Sequence, residues 1–143
     1  MEQAIINFYS ETDFLLEDQE QYSSWIQAVI ASESRKPGEI SYIFCDDQYL
    51  LELNKEYLDH DTFTDIITFD YCIGKTIQGD LFISIERVKE NSVLFNVSFS
   101  EELRRVIIHG ILHLCGYSDK TPEESKLMRI KEEEKMKLFH VEQ

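Results

Sequence analysis

The segment 106–114, which reads VIIHGILHL, constrains the fold more than any other part of the chain. Its aliphatic residues fall on nearly every side of a helical wheel, a pattern typical of a helix buried inside a protein. Its only strongly polar side chains are His109 and His113, which lie four residues apart and so share one helix face. The chain must therefore build a core around this helix and supply partners for two imidazole rings.

A shared divalent ion satisfies both imidazole rings at once. Leaving a buried polar group without a partner costs about 1–3 kcal/mol, so the rings of His109 and His113 are expected to bind something. The alternative is that each ring donates to a backbone carbonyl and belongs to an ordinary core, since an HxxxH pattern alone is not specific. We predict metal ligation, with one Zn²⁺ per chain as the expected cofactor and other divalent ions also compatible with these ligands.

The third ligand is expected just beyond the end of the buried helix. Gly116 suits the C′ position that ends a helix, and the chain then turns back with Ser118 and Asp119 within reach. Asp119 is the obvious candidate, because catalytic zinc sites accept two His and one carboxylate and keep the fourth position for water. The alternative for Asp119 is an exposed loop residue or a local cap. Cys115 points elsewhere on the helix and is assigned to the core.

Glycine at position 110 bears on the reaction class. HExxH metallopeptidases carry their general-base Glu at this position, so Gly110 disfavours a peptidase. Two His and one carboxylate also bind iron in oxygenases, but the few predicted strands do not form the β-barrel of such enzymes. We therefore predict a metal-dependent hydrolase, in which the metal itself or a group elsewhere in the chain activates the metal-bound water. The predicted catalytic and metal-ligating residues are the same three, His109, His113 and Asp119.

Hydrophobic periodicity elsewhere predicts an α+β fold in the order β-α-β-α-β-β-α-α-α. Residues 1–143 contain no repeat and no long linker, so we expect a single compact domain, with a small mixed sheet of about four strands and about five helices. The predicted strands are 5–9, 40–45, 66–69 and 81–85, the last two joined by a connection that contains Gly74 and Gly79. The predicted helices include 22–30, ending before Pro37, a short one capped by Asp46 and Asp47, one from Ser98 to Cys115, and one from Thr121 to about Phe139.

The charge and the cysteines restrict the partners and the compartment. A formal net charge of −14 argues against non-specific binding to a polyanion, because phosphate contacts need Lys and Arg. No apolar run approaches the ~18–20 residues of a membrane span, the N-terminus does not resemble a signal peptide, and three scattered cysteines lack CxxC spacing. We therefore expect a cytoplasmic protein without a membrane partner. A nucleic-acid substrate would need a local basic rim, for which the candidates are Arg87, Lys89, Arg104, Arg105 and Lys120.

Residues 109–119, which read HGILHLCGYSD, resemble the HGxLHLxGYDH motif of the YbeY family of bacterial rRNA-maturation endoribonucleases. Three upstream segments are similar to family motifs in the family order: LN at 53–54, TDIITF at 64–69, and GDLFIS at 79–84. Met128 and Arg129 fall in the matching C-terminal helix. The resemblance covers nearly the whole chain, and the order of its motifs is specific.

The resemblance implies an α+β fold, zinc at the three motif positions, and single-strand-selective cleavage of RNA during rRNA maturation and ribosome assembly. The implied partners are rRNA or single-stranded RNA and the small ribosomal subunit with its proteins, and DNA is not expected. The family usually has His where this chain has Asp119, and Arg where it has Leu58. Arg104 or Arg105 are candidates to replace that Arg, although exposed charges at a helix start are an equally good interpretation. Asp65 and Asp80 are candidates to orient substrate or water, with capping and turn roles as the safer interpretation.

Two functions remain open on the sequence. The first is a metal-dependent endoribonuclease acting on rRNA. The second is a metal-stabilised ribosome-assembly factor with little catalysis of its own, which the net charge and Leu58 favour. His60 and His140 are expected to be solvated and not catalytic.

Overall fold

The computed structural model describes residues 5–58 and 64–139, the side chain of Leu58 excepted. The predicted order of strands and helices is confirmed. Predictions for His60, His140 and the side chain of Leu58 lie outside the described part. The elements are β1 (Ile5–Ser10), α1 (Gln19–Ser32), β2 (Lys36–Cys45), α2 (Asp47–Leu58), β3 (Ile66–Asp70), β4 (Thr76–Ser84), α3 (Ile85–Leu94), α4 (Phe99–Leu114) and α5 (Pro122–Met136).

The four strands form one mixed sheet in the order β1-β2-β4-β3. Strands β1, β2 and β4 are parallel, and β3 pairs antiparallel with β4, which confirms the predicted mixed sheet and hairpin. Two strands begin earlier than predicted. Strand β2 starts at Lys36 and crosses a register irregularity between Pro37 and Ile40, while β4 starts at Thr76 and includes Gly79. Pairing between neighbouring strands sets these ends, since propensity alone fixes them poorly.

The end of β4 also differs from the prediction. Ile85 was assigned to the strand, but it begins α3. The side chain of Ser84 accepts a hydrogen bond of 3.1 Å from the backbone N–H of Arg87, so Ser84 caps the new helix. The Ser84 hydroxyl in turn donates a hydrogen bond of 2.6 Å to Oδ1 of Asp47. The local cap therefore overrides the strand pattern at this position.

The two faces of the sheet carry cores of different size. Ile40, Tyr42 and Phe44 alternate along β2 and belong to the main core, which also contains the buried residues of α1, α3, α4 and α5. Cys45 points to the other face, where it joins Leu50 of α2 in a small cluster. Four helices therefore cover one face and α2 covers part of the other. No helix in the described ranges is both long and apolar enough to cross a membrane.

Helix α4 lies directly on the sheet because of Gly110. A Cβ at this position would overlap the Cδ2 of Leu81 and lie 2.8 Å from the Cδ1 of Ile66 and 3.3 Å from the Cγ2 of Thr68. The glycine thus permits close approach of the helix backbone to β3 and β4. Tyr42, fully buried in β2, donates a hydrogen bond of 3.1 Å to the carbonyl of Ile107 and ties the middle of the helix to the sheet. Position 110 faces the sheet, so it has no room for the base of a peptidase.

Candidate metal centre

The three predicted ligands converge at the C-terminal end of α4. His109 Nε2 and His113 Nε2 are 3.0 Å apart, as expected for residues one helical turn apart. Oδ2 of Asp119 lies 3.4 Å from the first nitrogen and 3.6 Å from the second. One ligand atom from each residue lies within 4.8 Å of the others, so the group is suited to hold one metal ion. Both imidazoles are partly buried, and the carboxylate faces solvent.

The outer nitrogens of both imidazoles are already engaged. Nδ1 of His113 lies 3.0 Å from the carbonyl oxygen of Tyr117, which can only accept, so this nitrogen carries a proton. Nδ1 of His109 lies 2.6 Å from Oε2 of Glu132 and donates to that carboxylate. In neutral rings both Nε2 atoms then present lone pairs toward each other and toward Asp119. Three converging acceptors are a donor set that a cation completes, so the residues fit a divalent ion.

The pKa values of the two imidazoles are shifted in opposite directions. Burial lowers the pKa of His109, but the hydrogen bond and charge of Glu132, together with Asp65 and Asp119, outweigh it and raise the pKa above its ordinary value. Burial and the neighbouring charge of His109 lower the pKa of His113. Protonation of the pair is therefore favoured at His109 over His113. Because metal ligation needs neutral imidazoles, protons and metal ions compete for this site.

The loop after α4 brings Asp119 back to the two histidines. Gly116 has a φ of +105°, which suits the glycine expected at this position. The N–H of Tyr117 donates to the carbonyl of Leu112 at 3.0 Å. Thr121 then caps α5 in a capping box with Glu124. Two helix ends separated by a short loop therefore fix the position of Asp119, which is why the local pattern was sufficient to predict it.

The buried ion pair of Glu33 and Lys135 contacts the loop that follows α4. The hydroxyl of Tyr117 donates to Oε1 of Glu33 at 2.8 Å, and Oε2 of the same carboxylate lies 2.8 Å from Nζ of Lys135. Arg35 donates to the carbonyl of Cys115 at 3.0 Å. Because the backbone carbonyl of Tyr117 orients His113, these contacts link α1 and α5 to one candidate ligand.

Glu132 is the functional residue that the sequence interpretation missed. It lies on α5, its side chain is 6% exposed, and it contacts both His109 and Arg105, the latter at 3.1 Å. A carboxylate that accepts from the outer nitrogen of a ligating His fixes the orientation of the ring and increases its basicity. The EEE run at 132–134 resembled an ordinary solvated helix face, so no local signal distinguished the first Glu.

A pocket of about 300 Å³ opens beside the metal centre, between α3, α4 and α5. Burial raises the pKa of Asp65, which lies in this pocket together with His109 and Asp119. Of the two candidates to orient substrate or water, Asp65 is the one that lies beside His109, and this role stays a prediction. Asp80 lies on β4, opposite Phe69, and does not line this pocket. The lining residues are Asp65, Asn91, Phe95, Glu102, Arg105, Val106, His109, Asp119, Arg129 and Glu132.

The predicted basic rim is partly wrong. Arg105 lines the pocket, but the guanidinium of Arg104 lies 4.8 Å from the ring centre of Phe139, in a separate pocket on another side of α4. Residues one position apart on a helix point about 100° apart, and accordingly Arg104 and Arg105 line different pockets. Arg87 is paired with Asp47 at 2.9 Å. Lys89 and Lys120 are exposed and do not line the pocket, whereas Arg129 does.

This chain is similar to known proteins over nearly its whole length. The family model described as endoribonuclease YbeY matches residues 6–140. The chain belongs to the endoribonuclease YbeY family. A protein named endoribonuclease YbeY from Christiangramia forsetii is 59% identical over 143 residues, which cover all of both chains. Its namesake from Flavobacterium johnsoniae is 58% identical over 97% of this chain and all of its own length.

The fold of this YbeY-family member also matches a solved structure. The solution structure of TM1509 from Thermotoga maritima superposes with a TM-score of 0.66 at 25% sequence identity. The match covers 94% of this chain and 89% of that protein. The predicted family, the α+β fold and the enzyme class of a hydrolytic endoribonuclease are therefore confirmed. As a member of this family, the chain has RNA as its class of substrate.

Proposed function

We propose that this YbeY-family protein is a zinc-dependent endoribonuclease that cleaves single-stranded RNA in rRNA maturation and ribosome assembly. The observation that carries the proposal is the convergence of the lone pairs of His109 and His113 with the carboxylate of Asp119 beside an open pocket. These three residues are the proposed metal ligands and the proposed catalytic residues. Two neutral imidazoles and one carboxylate are a ligand set of catalytic zinc, which favours Zn²⁺ over the other divalent ions.

The side chains around the centre have distinct roles in this proposal. A bound divalent ion supplies Lewis acidity toward a phosphate oxygen and lowers the pKa of water. His109 is oriented by Glu132, and His113 is oriented by the carbonyl of Tyr117. Asp119 contributes one negative charge, so the occupied centre carries +1 where three histidines would leave +2. The lower charge makes water less acidic than in a three-histidine centre.

The charged side chains around the candidate metal centre bear on how an acidic protein binds RNA. Arg129 and Arg105 line the pocket beside His109, whereas the net charge of the whole chain is −14. The pocket also carries the carboxylates of Asp65, Glu102, Asp119 and Glu132, so RNA binding there depends on a bound cation and on the two guanidinium groups to offset this negative charge. The pocket has a volume of about 300 Å³ and is lined by residues of three helices, so it favours a flexible single strand over a stiff duplex. An acidic surface also complements basic proteins, which supports action at the small ribosomal subunit in the cytoplasm.

The experiment that tests the proposal is cleavage of a single-stranded rRNA fragment by the purified protein with and without added Zn²⁺. His113→Ala serves as the inactive variant, and His109→Ala and Asp119→Ala are measured beside it. We expect cleavage by the wild type, loss of at least a hundredfold in each variant, and loss on chelation. A wild-type protein that binds about one zinc per chain but leaves RNA intact would instead support a metal-stabilised assembly factor.

A further inference from the structure

We infer that the pocket beside the metal centre is a subsite for one unstacked nucleotide of the RNA, with Phe95 as its stacking surface. The inference rests on the proposed function and adds the means by which the enzyme selects single strands. A base can reach a side chain in such a pocket only when it has left its helix, so a duplex is excluded. The volume of about 300 Å³ fits one small ligand and not a double helix.

The first observation is a run of three exposed apolar side chains at the end of α3. Val93, Leu94 and Phe95 are consecutive and are 78%, 74% and 51% exposed. A run of exposed apolar residues destabilises the surface of a soluble protein unless it has a function. Phe95 is the member of this run that lines the pocket with His109. An aromatic ring at the edge of a nuclease site is a surface on which any base can stack.

The second observation is that hydrogen bonds hold the backbone at Phe95 in place. Phe95 follows the last residue of α3, and its N–H donates to the carbonyl of Asn91 at 2.9 Å. Asn96 then adopts a φ of +58°, and the N–H of Val97 donates to the carbonyl of Ser92 at 2.9 Å. This helix ending fixes the direction of the chain at Phe95. The ring is therefore exposed but its backbone is rigid, which is the condition for a preformed stacking surface.

The third observation is a buried carboxyl group that faces the pocket. Glu102 is only 3% exposed and lines the pocket, yet its side chain makes no hydrogen bond to any residue in the described ranges. Its oxygens are not among the fully buried polar atoms that lack a partner, so they reach the open space of the pocket, where a ligand can donate to them. A nucleotide offers two such donors, the ribose 2′-hydroxyl and the exocyclic amine of the base. Asn91 adds an amide that can both donate and accept.

The fourth observation is the arrangement of charge around the apolar wall. Arg129 is 56% exposed and lines the same pocket, while Arg105 is held by Glu132 deeper inside. Arg129 lies 4.0 Å from Glu132 and keeps enough exposed surface to contact a phosphate that flanks the bound nucleotide. The candidate metal ligands His109 and Asp119 line the same pocket. A nucleotide in this subsite would therefore lie beside the candidate metal centre.

The test measures binding of a labelled ten-nucleotide single-stranded RNA by fluorescence anisotropy at low temperature, with a gel confirming that the RNA stays intact. Phe95→Ala should raise the dissociation constant roughly 5- to 150-fold, the range for loss of one base–aromatic stack. Phe95→Tyr, which keeps the ring, should bind like the wild type. Leu127→Ala is the matched control, since Leu127 is similarly exposed at 47% and does not line the pocket.

Abasic substitution makes the test specific. A series of RNAs is made, each with one abasic residue at a different position. Only one RNA of this series should bind the wild type more weakly than the intact RNA does. That loss should disappear in Phe95→Ala and persist in Leu127→Ala, because two changes that remove the same contact are not additive. At that position a 2′-deoxy residue and a base lacking its amine identify which donor Glu102 accepts. Metal content and circular dichroism should be unchanged in every variant.

The outcomes separate this inference from the proposed function. A dissociation constant within twofold of the wild type in Phe95→Ala, or equal abasic losses in both proteins, would overturn the subsite even if the enzyme cleaves RNA. Absence of any RNA binding by the wild type would overturn it as well. In a further outcome, the wild type leaves RNA intact with Zn²⁺ and still shows an abasic loss of binding that disappears in Phe95→Ala. That result would support the subsite and reject the proposed nuclease activity.

Discussion

The carboxylate of Glu132 on α5 lies 2.6 Å from Nδ1 of His109 on α4. It also accepts from Arg105 at 3.1 Å, and its side chain is 6% exposed. The contact joins two helices at the point where the candidate metal ligands converge. It directs Nε2 of His109 toward His113 and Asp119, so the geometry of the centre depends on how α5 packs against α4.

Replacing Glu132 should weaken metal binding without removing a ligand. In Glu132→Ala the ring of His109 loses its orienting acceptor, and zinc affinity should fall about 10- to 100-fold, the usual effect of such partners. Competition with a chromophoric chelator measures this change. Glu133→Ala, at the exposed neighbouring position, should bind zinc like the wild type. Equal affinity in both variants would mean that Glu132 only holds Arg105.

Asp119 should act as a ligand that His can replace. The purified protein is expected to contain about one divalent ion per chain, as a single three-ligand site implies. Asp119→Ala should weaken metal affinity sharply, while Asp119→His should retain or increase it. Elemental analysis and zinc titration test both variants. If Asp119→Ala binds zinc normally, the third ligand is Ser118 or water.

Gly110→Ala should destabilise the protein although alanine is the better helix former. The new Cβ would overlap Leu81 and crowd Ile66, and overpacking of this kind costs about 1–3 kcal/mol. The gain in helix propensity is about 1 kcal/mol, so the two effects oppose each other and overpacking should win. Urea unfolding measures the difference, with Ser100→Ala at an exposed position of α4 as the control. A more stable variant would show that Leu81 moves aside.

The ion pair of Glu33 and Lys135 should make stability fall in acid. Burial alone would raise the pKa of Glu33, but hydrogen bonds from Lys135 and Tyr117 and the charges of Lys135 and Lys131 lower it below its ordinary value of 4.5. The stabilisation is therefore fully present above pH 4.5 and is lost as the pH falls through the folded-state pKa. Urea midpoints of the wild type and Glu33→Gln should differ at pH 7 and approach each other below pH 4.5. A constant difference would contradict this origin.

Arg129 and Arg104 should differ in their effect on RNA binding. Arg129 lines the pocket and is 56% exposed, whereas Arg104 stacks on Phe139 elsewhere. Arg129→Ala should weaken binding to single-stranded RNA and reduce the slope against salt concentration by about 0.7, the value for one phosphate contact. Arg104→Ala should leave the slope unchanged. If the salt slope changed in Arg104→Ala and not in Arg129→Ala, the RNA would bind on the other side of α4.

The sequence by itself determined the parts of the site that depend on neighbours along the chain. His109 and His113 share a face because a helix repeats every 3.6 residues. Gly116 and the cap at Thr121 return Asp119 to that face, and the Ser98 side chain accepts from the N–H of Glu101 as the start signal predicted. These relationships act over a few residues, so the pattern of residue types is sufficient to specify them.

Only the tertiary structure decided which distant side chains surround the metal ligands. Glu132 is 23 positions from His109, Phe95 directly follows α3, and Arg129 lies on α5. Their positions depend on how α3 and α5 pack against α4, which itself approaches the sheet at Gly110. The same packing turned Arg105 toward the pocket and Arg104 away from it. Packing of this kind depends on the volumes of many side chains together, and no short stretch of sequence encodes it.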